Sequence, residues 1–378
     1  TFQLKICVAA ASLRPMSAFA TVRGAAVAAG GGRLAWTGAH LLGTPVASAV
    51  TATSEPGAGL GPCALAAASA AVAATTAVAA ARRGGGRRRG LATVSAVTEA
   101  AAATTEIFDF RSGMGEAAAA RIGPGVEMLL VPCLSDNYAP IIHDPSTGAT
   151  AVVDTPEVAP IMAALESRGW KLTHILNTHH HMDHTGGNQE LVDRTGCQVI
   201  GPAGEADRIP ALGRPVAQDD VVEVGALRAR VLDVGGHTKG HVAYFFPEQK
   251  AAFVGDTLFT LGCGRIIEGS ALQMWGSLNK LRELPDDTVF YCAHEYTESN
   301  ARFAEHLGGV PLLPERVAAV RELRKEGRAT VPSLLGHEKA TNPFLRADSD
   351  ELRVAAGLPK GAVPVQVFAE VRKRKDKF

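Results

Sequence analysis

Aromatic residues are scarce, at 5% of the 378, and cysteines number only six, at 7, 63, 133, 197, 263 and 292. No two of these form a Cys-x-x-Cys pair. Such scattered thiols exclude a disulfide framework and a cysteine-rich structural zinc site, and they are expected to be reduced and mostly buried. Cys263, in a glycine-rich loop, is the one with a possible place near a site. An excess of charge is missing too, because 38 basic residues balance 38 acidic ones. That balance hides a division. Residues 1–105 carry a net +7, with Glu55 and Glu99 their only acids, so the remainder carries a net −7. An acidic body lacks the basic face of a nucleic-acid enzyme. Long, strongly apolar runs are also absent. An uncharged 18-residue stretch, residues 64–81, is mostly alanine, with Leu65, Val72 and Val78 the strongly apolar members. No permanent membrane anchor is expected from it.

Residues 1–105 are rich in Ala, Gly, Ser, Thr and Arg and show no pattern that could bury a core. This composition fits a removable organelle-targeting leader. Its layout, with a weak signal region at 4–20 and arginines at 82–89, resembles the multipart leaders of algae with complex plastids. A plastid location is therefore expected, with the mitochondrion as the alternative. Residues 106–126 read as a linker.

From Glu127 the texture changes. Short apolar runs predict strands near 128–131, 151–153, 198–200, 227–234, 241–246, 251–254 and 289–292. Thr155-Pro156 predicts a helix start, with a hydroxyl cap and proline at the first position, and Gly169 predicts its end. A second helix is expected near 188–195. After Tyr296 strand signals cease, and helices are expected over 314–324 and 351–356.

One stretch stands apart: Asn177-Thr178-His179-His180-His181-Met182-Asp183-His184. Four histidines and an aspartate fall within six residues, directly after a β-branched and apolar run. In extended backbone His179 and His181 point the same way. Asp183 and His184 can then face a second point. Imidazole nitrogens and carboxylate oxygens without sulphur suit zinc, iron or manganese.

The pattern His-x-His-x-Asp-His resembles the signature of the metallo-β-lactamase superfamily, and colinear pieces follow it. They are Gly236-His237-Thr238-Lys239-Gly240-His241, Gly255-Asp256-Thr257 and Cys292-Ala293-His294-Glu295-Tyr296. Asn342-Pro343-Phe344-Leu345-Arg346 and the closing Arg372-Lys373-Arg374-Lys375 resemble glyoxalase II, the hydroxyacylglutathione hydrolases. The resemblance spans residues 127–378. It implies an α/β fold, the four-layer αββα sandwich over 127–295, and a small helical glutathione-binding domain over 296–378. It further implies two divalent metal ions, zinc first, with iron or manganese as alternatives. One ion is held by His179, His181 and His237, the other by Asp183, His184 and His294, and Asp256 bridges the two. The implied reaction is hydrolysis of S-D-lactoylglutathione to D-lactate and glutathione by a metal-bridging hydroxide, the second step of methylglyoxal detoxification. Asp183 and Asp256 are the implied catalytic carboxylates. Arg265, Tyr296, Arg372 and Lys375 are the implied contacts to the glutathione thioester. His174, His180 and His241 match no ligand position. Ile267 departs from the family, which has an aromatic residue there. No nucleic-acid partner is expected, and the chain is expected to be a monomer. A persulfide dioxygenase of the same fold, which uses one iron, is the competing reading; the full second ligand set and the basic C-terminus favour the hydrolase.

Overall fold

The computed structural model describes residues 109–378. Residues 1–108, which include the expected leader with Cys7 and Cys63, lie outside them. Strand β1 (Glu127–Cys133) opens the first sheet and is followed by β2 (Asn137–His143), β3 (Thr150–Val153), β4 (His174–Leu176), β5 (Gln198–Pro202) and β6 (Leu212–Val216), side by side in that order. The first three pair antiparallel and the later ones parallel. Strands β7 (Val221–Val224), β8 (Leu227–Asp233), β9 (Val242–Phe246) and β10 (Ala251–Gly255) begin the second sheet. After a small hairpin, β11 (Leu258–Phe259) with β12 (Gly262–Cys263), the sheet is completed by β13 (Val289–Cys292) and β14 (Ser333–Leu334). Its order is β14-β13-β10-β9-β8-β7.

The strand period of two explains the layering. In the first sheet Ile142, Val153, Leu176 and Ile200 belong to a core shared with Val222, Val231, Tyr244 and Phe253 of the second sheet. Their chain neighbours Ile141, Val152, Ile175 and Val199 belong to a separate core on the other face. That outer core is closed by Ile161 and Leu165 of a helix at Val158–Arg168 and by Leu191 of one at Asn188–Thr195. The second sheet is covered by helices at Ala271–Arg282, Thr297–Leu307, Leu313–Lys325 and Pro364–Lys375, which contribute Leu278, Phe303, Val320 and Phe368. Helix, sheet, sheet and helix thus form the αββα arrangement. Each fully buried aliphatic or phenylalanine side chain contributes about 1.5–3 kcal/mol, so sheets covered on both faces are stable only with both helical layers in place.

Several details differ from the sequence reading. The helix after Thr155-Pro156 starts at Val158, and Thr155 does not cap it. Its hydroxyl donates instead to Asn188 Oδ1 at 2.6 Å, while its N–H donates to His184 O at 2.8 Å. A tie to the histidine loop has won over capping. Residues 115–119 form a short helix within the stretch read as linker, with Met114 and Ala118 fully buried. Strand β14 lies beyond the point where strand signals end and joins β13 by only two residue pairs. The basic C-terminus is a helix with Pro364 in its first turn.

Candidate metal centre

Strand β4 ends at Leu176, and the next residues bend across the rim of both sheets. Two clusters form there. His179 Nε2 and His237 Nε2 lie 3.0 and 3.1 Å from His181 Nδ1. In the second cluster, Asp183 Oδ2 lies 3.5 Å from His184 Nε2 and 3.4 Å from His294 Nε2. Asp256, after β10, stands between them. Its Oδ2 is 3.4 Å from His237 Nε2, and its Oδ1 is 3.6 and 3.4 Å from His184 Nε2 and His294 Nε2. The seven residues singled out from sequence are therefore brought together as two groups of three and one shared carboxylate.

The donor set fits cations. Nitrogens bound to one tetrahedral zinc at about 2.0–2.1 Å would sit roughly 3.3 Å apart, close to the spacing seen among the three histidines. His184 Nε2 and Asp256 Oδ1 are buried without a hydrogen-bond partner, which such interiors rarely tolerate. An ion between them would satisfy both. Electrostatics agrees. Burial would raise the Asp256 carboxyl, yet His184, His294 and His237 together hold it far below the ordinary range. Burial lowers His184, but Asp256 and Asp154 outweigh it and bring the imidazole up to about 9. Burial, then the neighbouring imidazoles, keeps His179 neutral. Such coupled imidazoles and carboxylates are ready to exchange protons for cations.

The opposite ring nitrogens are oriented by oxygen acceptors, as is usual for ligating histidines. His184 Nδ1 donates to Asp154 Oδ2 at 2.8 Å, His294 Nδ1 to Asp136 Oδ1 at 2.8 Å, and His237 Nδ1 to the Arg265 carbonyl at 2.9 Å. Asp154 has a left-handed backbone, with φ of 57°. This conformation turns both of its oxygens toward Thr178 and His184, so that it accepts from Thr178 N–H, Thr178 O–H and His184. Asp136 and Asp154 were invisible as site residues in sequence, because nothing in their local pattern marks an acceptor for a distant imidazole.

Glu205 was missed for the same reason. Its buried carboxylate accepts from His180 N–H at 2.8 Å, His180 Nδ1 at 2.7 Å and Gly240 N–H at 2.9 Å. One side chain thus ties the His179–His181 loop to the loop of His237. A Cβ on Gly240 would stand 2.7 Å from Glu205 Cγ, which explains the glycine. His241 is buried, stacks on His179 at 4.6 Å, and accepts from Asp256 N–H at 3.1 Å. His174 sits at the start of β4, bonded to Thr173, away from the clusters. His180 points to Glu205 and Arg208. His180→Ala should accordingly retain both metal equivalents by elemental analysis. Loss of an equivalent would make it a ligand.

The four residues expected at substrate differ in exposure. Tyr296 stacks flat on His294, centroids 4.7 Å apart, and is 39% exposed. Arg265 is exposed, and its carbonyl serves His237. Lys375 is half-buried, donating to Ser299 O and Oγ at 3.1 Å. Arg372 is only 5% exposed, and its guanidinium donates to the Cys263 carbonyl at 2.8 Å and pairs with Asp376. Ile267 is exposed beside the His237 loop, its N–H donating to the His237 carbonyl. The Cys263 thiol is buried, and burial pushes it up to about 11, so it is not a thiolate near neutral pH.

Comparison with known proteins agrees with this geometry. Residues 141–294 match the metallo-beta-lactamase superfamily, and residues 295–378 match the hydroxyacylglutathione hydrolase C-terminus. Fold and centre together define a metal-dependent hydrolase of the metallo-β-lactamase fold. Over 254 residues the chain is 54% identical to the hydroxyacylglutathione hydrolase of Methylococcus capsulatus and 53% identical to that of Cereibacter sphaeroides. Each match covers 67% of this chain and 99% of the relative. The chain belongs to the hydroxyacylglutathione hydrolase family, glyoxalase II.

These relatives correct the expected location. They are bacterial, and bacteria have neither plastids nor mitochondria, so the plastid reading and its mitochondrial alternative are both overturned. The composition of residues 1–105 reports basic charge and a shortage of acids, and those properties do not encode an address. Among the described residues no helix is long and apolar enough to cross a membrane.

Proposed function

We propose that the chain hydrolyses S-D-lactoylglutathione to D-lactate and glutathione, the second step of methylglyoxal detoxification. The observation that carries the reading is Asp256, whose two oxygens each face a separate cluster beside a half-exposed aspartate, Asp183. His179, His181 and His237 would hold one ion, Asp183, His184 and His294 the other, with Asp256 shared. We take zinc as the first choice and iron or manganese as alternatives, because the donors are all nitrogen and oxygen. Two such ions, when bound, supply Lewis acidity that polarises a carbonyl and lowers the pKa of water toward neutrality.

The protein's own contributions follow from position. Asp183 is half-exposed, so it stands at the open side of the centre, where it would orient the attacking water. Water that has given up a proton to solvent attacks and forms the carbon–oxygen bond, and collapse breaks the carbon–sulphur bond with the electron pair leaving on sulphur. The leaving thiolate, with a pKa near 8.5, needs no dedicated proton donor. Arg265, Tyr296 and Lys375 would receive the anionic glutathione portion, and Arg372 would anchor the helix that carries Lys375. Metal analysis of the purified protein together with thioester hydrolysis tests the reading. Oxygen uptake with glutathione persulfide would point to the dioxygenase instead.

Lys375 gives a sharper check. Burial, followed by Arg372, Arg302 and Arg265, lowers its ammonium to about 8. Since the cation is the anion-binding form, kcat/KM should fall as pH rises through about 8, the free-enzyme pKa. Lys375→Ala should raise KM, leave kcat little changed and remove that limb of the profile. An unchanged KM would remove Lys375 from the binding site.

A further inference from the structure

Residues 342–346, Asn-Pro-Phe-Leu-Arg, stand out in the sequence but take no part in the chemistry proposed above. Their surroundings give them another role. The β11–β12 hairpin has both ends in the metal centre. Asp256 lies just before it, and just after it comes Arg265, whose carbonyl orients His237. Its tip is held from outside. Asn342 Nδ2 donates to Phe259 O at 3.1 Å and to Gly262 O at 3.0 Å. Asn300 Nδ2 donates to Thr260 O at 3.1 Å. Glu338 Oε2 accepts from Leu261 N–H at 2.7 Å, and Arg372 donates to Cys263 O at 2.8 Å. Every residue from 259 to 263 is therefore fixed through its backbone by a side chain from residues 300–372.

The grip reaches the ligands because no slack lies between. Gly264 N–H donates to Thr257 O at 3.3 Å, and a Cβ on Gly264 would stand 2.0 Å from Asp256 O and 3.3 Å from His237 Nδ1. A shift of the hairpin must move the Asp256 backbone, the Arg265 carbonyl, or both. Asn342 is fully buried; besides the two hairpin carbonyls its Nδ2 reaches Glu338 Oε2 at 3.1 Å, itself bonded to the hairpin, and its Oδ1 accepts from Phe344 N–H at 2.9 Å.

We propose that Asn342 and Asn300 are positioning residues for metal binding. They act through the hairpin on Asp256 and on the carbonyl that orients His237. This rests on the reading that those residues hold metal. The test is competition of purified wild type, Asn342→Ala and Asn300→Ala with a zinc chelator, at a temperature where circular dichroism shows each folded. Affinity for at least one zinc equivalent should weaken roughly 10–100-fold in both variants, the loss seen when partners of ligating groups are removed. A purely structural role would lower the unfolding midpoint and leave the affinity of the folded protein unmoved. Both equivalents within about twofold of wild type, well short of that loss, would overturn the proposal. If Asn342→Ala does not fold, Asn300→Ala decides alone by the same criterion. Wild type that holds no divalent ion would overturn the metal reading itself, and this inference with it.

Discussion

Asp256→Ala should reduce thioester hydrolysis to background and remove at least one metal equivalent. Among the described residues it is the carboxylate whose two oxygens face both clusters, at 3.4 Å from His237 and at 3.4 and 3.6 Å from His294 and His184. Neutral imidazoles bring no charge, so two dications depend on Asp183 and Asp256 for compensation. Removing Asp256 also takes away the carboxylate oxygen that lies 3.6 Å from the buried His184 Nε2. Elemental analysis and kcat on the same preparation check this result. Two retained equivalents with near-normal kcat would end the bridging role. A folded variant that holds at most one equivalent and shows only background hydrolysis would support it.

The second large effect is on stability. Arg316 and Glu338 form a 2.7 Å ion pair with both side chains fully buried, among Ser333, Asn342 and the Leu261 N–H. Glu338→Ala strands a guanidinium in that interior, and breaking such a pair costs about 3–5 kcal/mol. It also frees one of the groups that hold the β11–β12 hairpin. Urea unfolding of wild type and variant should show a loss of that size. A change under about 0.5 kcal/mol, the range of ordinary surface substitutions, would mean that Arg316 finds water or another partner. Glu338→Gln, which keeps the shape and a hydrogen-bond acceptor, should lose less.

The sequence alone marked out the seven residues of the candidate centre, because metal chemistry limits the donors to few residue types and the four motifs keep them in recognisable local patterns. It also determined the strands that lie deepest. The runs near 198–200, 251–254 and 289–292 are buried along nearly their whole length, so they read as apolar whatever their neighbours are. The helix at Asn188–Thr195 lies where expected, and Gly169 and Gly196 take the left-handed cap conformation. Composition, in contrast, misled on location, since a basic and acid-poor segment carries no unique address.

Tertiary structure alone decided what lies behind the histidines of the candidate centre. Asp136, Asp154 and Glu205 meet their histidines across 158, 30 and 25 residues. No local spacing can signal a hydrogen bond of that reach. It likewise decided the fate of the basic C-terminus. Four cations in a row read as one charged tail, but helical geometry sends them to different faces. Arg372 goes into the interior against Cys263 and Lys375 to a half-buried shelf on Ser299, while Lys373 stays in solvent. Charge in a sequence is one-dimensional, whereas burial depends on which face of the helix meets the rest of the fold.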